Sequence, residues 1–126
     1  MELFDAVLTR RSIRKYKPVV ISDKLIHKII EAATWAPSAH NAQPWRFVVL
    51  GDAEAKRGLA EAMAEKYRLD LTRDGVSPEK CEEMINLSLE RFTSAPILII
   101  ACLTMVNMDR YPDEKRQKAE RTMAVQ

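Results

Sequence analysis

Residues 36–45 read Ala-Pro-Ser-Ala-His-Asn-Ala-Gln-Pro-Trp, and this polar segment leads within two residues into the apolar run 47–50. Pro37 and Pro44 stiffen the segment, because each ring fixes φ and removes a backbone amide donor. Between the prolines lie a hydroxyl, an imidazole and two carboxamides, on Ser38, His40, Asn41 and Gln43. Carboxamides carry both donors and acceptors. The segment, which we call the 36–45 loop, therefore suits a planar heterocycle edged with C=O and N–H groups.

A second polar cluster lies near the N-terminus, where residues 10–14 read Arg-Arg-Ser-Ile-Arg. Guanidinium groups match phosphate oxygens in a bidentate geometry, and the hydroxyl of Ser12 adds a neutral donor. The same arginines could instead form a solvated run at the end of a helix, stabilised by the helix dipole. Taken with the 36–45 loop, the cluster favours one phosphorylated heterocyclic ligand that is held at both ends.

Composition and charge argue against several functional classes. At 126 residues with a net charge of +2, the chain is typical of one globular domain and gives no reason to expect nucleic-acid binding. No apolar run approaches the length that crosses a bilayer, and the N-terminus does not resemble a signal peptide, so we expect no membrane association. Cys81 and Cys102 lack metal-ligand spacing. They are predicted to be reduced, buried thiols of a cytoplasmic protein, and no metal site is predicted.

Hydrophobic periodicity predicts about five helices and two apolar strands, the strands at residues 46–50 and 97–103. A short first helix would place Phe4, Val7 and Leu8 on one face. The predicted starts of the other helices are the capping residues Ser22, Asp52 and Ser77 and, for the last helix, about Pro112. Trp35 and Trp45 are predicted to pack in the core or at an interface.

Both polar clusters together resemble the nitroreductase family of FMN-dependent oxidoreductases. The resemblance rests on residues 10–14 and on 36–47, runs from about Phe4 to the last residue, and is looser between Gly51 and Thr93. The chain is similar to free-standing archaeal-type members, which are related to the flavin domain of enzymes in deazaflavin-cofactor biosynthesis. The resemblance implies an α+β fold with a central sheet flanked by helices, FMN as cofactor, NAD(P)H as hydride donor, and a homodimer with the flavin at its interface.

The same resemblance implies the residues that bind the flavin. The arginine cluster would hold the ribityl phosphate and the pyrimidine side, and the 36–45 loop would line the isoalloxazine. The implied cofactor-binding residues are Arg10, Arg11, Ser12, Arg14, Pro37, Ser38, Asn41 and Gln43. Alternatively, the amides of the loop only satisfy backbone groups of a turn. No nucleophile with an adjacent base is evident, so no catalytic side chain is predicted, in keeping with chemistry carried by the flavin.

The family's reaction would pass hydride from NAD(P)H through the flavin to an electron-poor small molecule, such as a nitroaromatic, a quinone or an enone-like compound, with ping-pong kinetics. Family domains continue with a long central helix, further strands and a basic residue that contacts the FMN phosphate. Residues 1–126 are therefore expected to be the N-terminal portion of a single nitroreductase-like FMN-binding domain that is truncated at its C-terminus. The alternatives are a catalytically degenerate flavin-binding or interaction module, or one fragment of a split or clipped enzyme.

Overall fold

The computed structural model describes residues 2–106 and 108–125, with side chains described up to residue 122. A short 3₁₀ turn, Ala39–Asn41, precedes the first strand. In chain order the helices and strands are α1 Leu3–Thr9, α2 Asp23–Thr34, β1 Trp45–Leu50, α3 Ala53–Arg73, α4 Pro78–Ser94, β2 Leu98–Leu103 and α5 Glu114–Val125. This combination of helices with a sheet confirms the predicted α+β class.

The chain divides into two compact units, each made of two segments. The first unit comprises Met1–Val19 and Gly51–Pro96, and the second comprises Val20–Leu50 and Ile97–Gln126. Helices α3 and α4 form most of the first unit, whereas the sheet and helices α2 and α5 belong to the second. That residues 1–126 are part of one family domain stays a prediction.

In the first unit, α3 and α4 form an antiparallel hairpin around a small apolar core. Ala64 and Leu71 of α3 pack with Cys81 and Ile85 of α4, and Ile85 is 1% exposed. Lys56 connects the two helices at the open end of the hairpin. Its Nζ donates hydrogen bonds to the carbonyl oxygens of Ala95 at 2.6 Å and Pro96 at 3.3 Å. The start of α3 is therefore tied to the end of α4 through a buried lysine.

The closed end of the hairpin depends on Gly75, whose φ is +76°. The N–H of Val76 donates to the carbonyl of Leu71 at 3.0 Å, and the N–H of Gly75 donates to that of Thr72 at 3.1 Å. These two bonds form a Schellman cap, which places its left-handed residue at Gly75. Ser77 then caps α4, with Pro78 at the first helical position, as the sequence predicts.

Replacing Gly75 with alanine is expected to destabilise the protein by about 1 kcal/mol, because a side chain at positive φ crowds its own backbone. No atom lies within 4 Å of the added Cβ, so the cost comes from the backbone conformation alone. Gly58 lies inside α3 and has equally open space. Gly58→Ala should stabilise by up to about 1 kcal/mol, because alanine has the higher helix propensity. Urea unfolding should show shifts of opposite sign, and shifts of the same sign would contradict this account.

In the second unit, β1 and β2 pair antiparallel, with Trp45 opposite Leu103 and Leu50 opposite Leu98. Both predicted strands are confirmed to within a residue. Their burial is lower than their apolar sequences suggest, since Val48 is exposed and so are the last three residues of β2. Within the described residues the sheet has only these two strands, so less of its surface is covered than in a larger sheet.

The predicted burial of one cysteine is wrong. Cys102 is exposed, whereas Cys81 is buried as predicted. Trp35, the residue that follows α2, is 83% exposed, so its predicted place in the core is wrong and its predicted place at an interface stays a prediction, whereas Trp45 is half-buried. The sequence predicts that Phe4, Val7 and Leu8 share one face of α1, and all three are exposed. In each case the sequence shows that a side chain is apolar, but its burial depends on which other elements reach it.

Candidate functional site

The arginine cluster lies in the first unit, in the extended segment that follows α1. Arg10 is the C-terminal cap of α1, and its N–H donates to the carbonyl of Ala6 at 3.2 Å. The guanidinium of Arg11 donates to the carbonyls of Leu8 at 3.0 Å and of Arg10 itself at 2.8 Å. Arg11 is thus partly engaged with the end of the helix, in line with the dipole interpretation.

Arg10 and Arg14 are exposed and differ from Arg11 in their contacts. Among the residues whose side chains the structure describes, neither guanidinium pairs with a carboxylate within 4.0 Å. Arg14 also lines a cavity of about 420 Å³ in the first unit, together with Lys15, Arg91 and Glu90. Three cationic side chains and one carboxylate leave this cavity with an excess of positive charge, which suits an anionic group.

The 36–45 loop lies in the second unit and has a strained backbone. His40, Asn41 and Gln43 have φ values of 52°, 51° and 48°, which is the left-handed region that non-glycine residues seldom adopt. The hydroxyl of Ser38 accepts a hydrogen bond from the N–H of Gln43 at 3.0 Å and so closes the loop. Strain of this kind persists only where surrounding contacts hold it, and it is concentrated at functional sites.

The loop is also fixed at its far end. Pro44 is buried, and its carbonyl accepts a hydrogen bond at 2.9 Å from the N–H of Thr104, the residue after β2. The N–H groups of Asn41 and Ala42 donate to the carbonyls of Ser38 and Ala39, both at 3.0 Å. Backbone groups and the Ser38 hydroxyl therefore satisfy the turn.

The side chains of Asn41 and Gln43 are left for another role. Within the part of the chain with described side chains, neither carboxamide makes a hydrogen bond, and both residues are exposed, as is Pro37. This contradicts the alternative that these two amides serve only the turn's own backbone. The loop presents two solvent-exposed amides on a rigid backbone, and such amides are available to bind the edge of a planar ligand.

One cluster in the second unit was not predicted from the sequence. His40 is exposed, and its Nε2 lies 3.3 Å from Oδ2 of Asp109, which follows β2. Glu120, on α5, lies close to both side chains and is almost completely buried. No sequence signal connects these residues, because they come from three separate segments without the spacing of a known motif.

A further groove, of about 590 Å³, lies between α3 and α4 and is not part of the predicted site. Its walls include Met63, Tyr67 and Met84, and Lys66 and Asp70 form an ion pair at 2.5 Å at its edge. Its lining is mainly apolar, so it differs in character from the two polar clusters. None of the described helices is long and apolar enough to cross a membrane.

Comparison with known proteins gives a consistent assignment. The model of the nitroreductase family matches residues 7–126. A protein of Archaeoglobus fulgidus, named for NADH dehydrogenase and NAD(P)H nitroreductase activity, is 34% identical over 131 aligned positions, which cover 97% of this chain and 75% of the relative.

Solved structures agree with the family match. A BluB-like flavoprotein of Clostridium difficile superimposes with a TM-score of 0.67 at 28% identity, covering 98% of this chain and 62% of the other. A nitroreductase of Desulfovibrio desulfuricans, solved in complex with FMN, gives a TM-score of 0.58 at 27% identity, covering 97% and 56%. The chain thus spans less than two-thirds of either solved protein. Nearly its whole described length shares their fold, and the chain belongs to the nitroreductase family, as its two polar clusters predict.

Proposed function

We propose that this chain is the FMN-binding part of an NAD(P)H-dependent flavin oxidoreductase. The observation that carries the proposal is the 36–45 loop, which holds two exposed amides on a left-handed backbone that Ser38 closes. The names of the relatives, which refer to NAD(P)H nitroreductases and NADH dehydrogenases, support it. When bound, FMN would supply hydride transfer between NAD(P)H and an electron-poor acceptor.

The polar residues of the two units would have different roles. Asn41 and Gln43 would donate to and accept from the polar edge of the isoalloxazine, and Pro37 and Ser38 would shape the surface beneath it. Arg10, Arg11, Ser12 and Arg14 would bind the ribityl phosphate and the pyrimidine side, because forked guanidinium donors match both groups. Since Arg10 and Arg14 are exposed and have no carboxylate partner among the described side chains, they can bind an anion without first breaking an ion pair.

The proposal extends to assembly, acceptor and location. The acceptor would be a nitroaromatic, a quinone or an enone-like compound, which takes its hydride after the oxidised nicotinamide has left, in a ping-pong sequence. The exposed apolar residues of α1, Phe4, Val7 and Leu8, support a homodimer, because exposed apolar patches of this kind often mark protein contacts. A cytoplasmic location agrees with two free cysteines, Cys81 and Cys102.

The absorption spectrum of the purified protein tests the proposal directly. Protein that is purified with FMN, or mixed with it and desalted, should keep the absorption bands of bound flavin, and NAD(P)H should bleach them anaerobically. Steady-state oxidation of NAD(P)H above the rate with free FMN would support the full enzyme activity. Bound flavin that NAD(P)H does not reduce would instead favour a flavin-binding module, and a protein that retains no flavin would contradict the proposal.

A further inference from the structure

Three side chains of the second unit, His40, Asp109 and Glu120, bring potential metal ligands together. One ligand atom from each residue lies within 4.8 Å of the ligand atoms of the other two. Nε2 of His40 and Oδ2 of Asp109 are 3.3 Å apart. The cluster combines one imidazole with two carboxylates, and none of these residues belongs to the predicted flavin-binding set.

The carboxylate of Glu120 is buried, and one of its oxygens has no hydrogen-bond partner. It is 1% exposed, and its Oε1 makes no hydrogen bond to any other side chain or backbone group that the structure describes. A buried carboxylate oxygen without a partner is costly, because burial removes its hydration and nothing replaces it. The carboxylate therefore needs a partner such as a cation, and one of its oxygens lies within 4.8 Å of a ligand atom of His40 and of one of Asp109.

We infer that His40, Asp109 and Glu120 bind a divalent first-row transition-metal ion such as Zn²⁺ or Mn²⁺. Imidazole nitrogen suits Zn²⁺, and carboxylate oxygen suits both ions. Two ligand atoms that each lie about 2.1 Å from a tetrahedral ion are about 3.4 Å apart. The separation of 3.3 Å between His40 and Asp109 matches that edge. The ligand atom of Glu120 lies within 4.8 Å of a ligand atom of each of these residues, close enough to complete a set of three ligands around one ion.

The cluster is accessible to an ion from solvent. The side chains of His40 and Asp109 are 69% and 55% exposed, whereas Glu120 lies beneath them. Three protein ligands leave at least one coordination position open. An ion here would join the 36–45 loop, the segment after β2 and helix α5, and would thus stabilise the second unit.

Metal binding by the full chain can be measured by equilibrium dialysis and by thermal unfolding. Exposed Cys102 could bind Zn²⁺ by itself, so the measurements use a Cys102→Ser background. We expect one equivalent of Zn²⁺ or Mn²⁺ to bind, and an ion concentration of about 100 times Kd to raise Tm by roughly 10 °C. Failure of both ions to bind would overturn the inference.

Variants separate this site from adventitious binding. His40→Ala and Glu120→Gln should each lower the affinity at least about 10-fold and remove most of the rise in Tm. His27→Ala, which changes the other histidine, an exposed residue on α2, should leave both quantities unchanged. His40 is itself exposed, so its variant keeps the test valid if Glu120→Gln does not fold. Stoichiometric binding that survives both site variants would overturn the inference, since the ion would then bind elsewhere on the chain.

Discussion

A variant that carries both Arg10→Ala and Arg14→Ala is expected to bind FMN at least about 100-fold more weakly than the unaltered chain. Each guanidinium would donate charge-assisted hydrogen bonds to the ligand, and such bonds contribute about 1.5–3 kcal/mol each. Both arginines are exposed, so their removal should leave the fold intact. Quenching of FMN fluorescence on titration with protein measures the affinity, and circular dichroism checks the helix content.

Two controls show whether the loss of affinity is specific. Arg57→Ala removes an exposed arginine of α3 that belongs to neither polar cluster and should change the affinity less than about twofold, because salt screens an exposed charge that does not contact the ligand. Riboflavin keeps the pyrimidine side but has no phosphate, so the double variant should weaken riboflavin binding less than FMN binding. An unchanged affinity for FMN, or equal losses for the two ligands, would show that these arginines do not hold the phosphate.

The features that the sequence predicts well are local in the chain. Ser22 and Asp52 cap their helices through side-chain oxygens that accept from the N–H groups of Leu25 at 3.4 Å and Ala55 at 2.9 Å. Such a cap needs only residues within one turn, so its sequence pattern is sufficient. The last helix differs slightly. It begins at Glu114, two residues after the predicted start near Pro112. Asp113 acts as its cap, because the Asp113 carboxylate accepts a hydrogen bond from the N–H of Arg116 at 2.8 Å.

The features that the sequence does not predict depend on contacts between distant segments. Cys102 and Trp35 are exposed because no described element covers them, and their own neighbours in sequence do not reveal this. The positive φ values of His40 and Gln43 also lack a local signal, since glycine is the residue expected there. Their conformation is imposed by the bond from Gln43 to Ser38 and by the anchoring of Pro44.

The same distinction between local features and contacts of distant segments applies to the candidate site. The types of residue in the two polar clusters predict a phosphate and a polar heterocycle from chemistry alone, and the family match supports that interpretation. The contact between His40 and Asp109 and the burial of Glu120 arise only when three segments of the second unit come together. A side chain such as Glu120, on a helix rich in charged residues, would be placed on the surface by its sequence pattern.

Lys56→Met is expected to destabilise the protein by about 2–3 kcal/mol, which would be the largest stability effect among the substitutions considered. Methionine fills a similar volume, so the change mainly removes the ammonium group. That group donates to the carbonyl of Ala95 at 2.6 Å and to that of Pro96 at 3.3 Å. Carbonyl groups at the end of a helix have no partner within the helix. Ala95 is also 4% exposed, so its carbonyl would lose a donor where water has little access.

Lys66→Met is the matched control, because Lys66 lies on the same helix with its side chain 66% exposed and, among the side chains that the structure describes, pairs only with Asp70 one turn later. An exposed pair of this kind contributes at most about 0.5 kcal/mol, so urea unfolding followed by circular dichroism should separate the two variants clearly. A buried ammonium also loses hydration, which opposes the gain from its hydrogen bonds. If Lys56→Met were as stable as Lys66→Met, the two terms would cancel, and the tie between the start of α3 and the end of α4 would not stabilise the hairpin. A loss of about 2–3 kcal/mol would instead mean that the hydrogen bonds outweigh the desolvation, since methionine leaves the carbonyl of buried Ala95 and that of partly buried Pro96 without their donor.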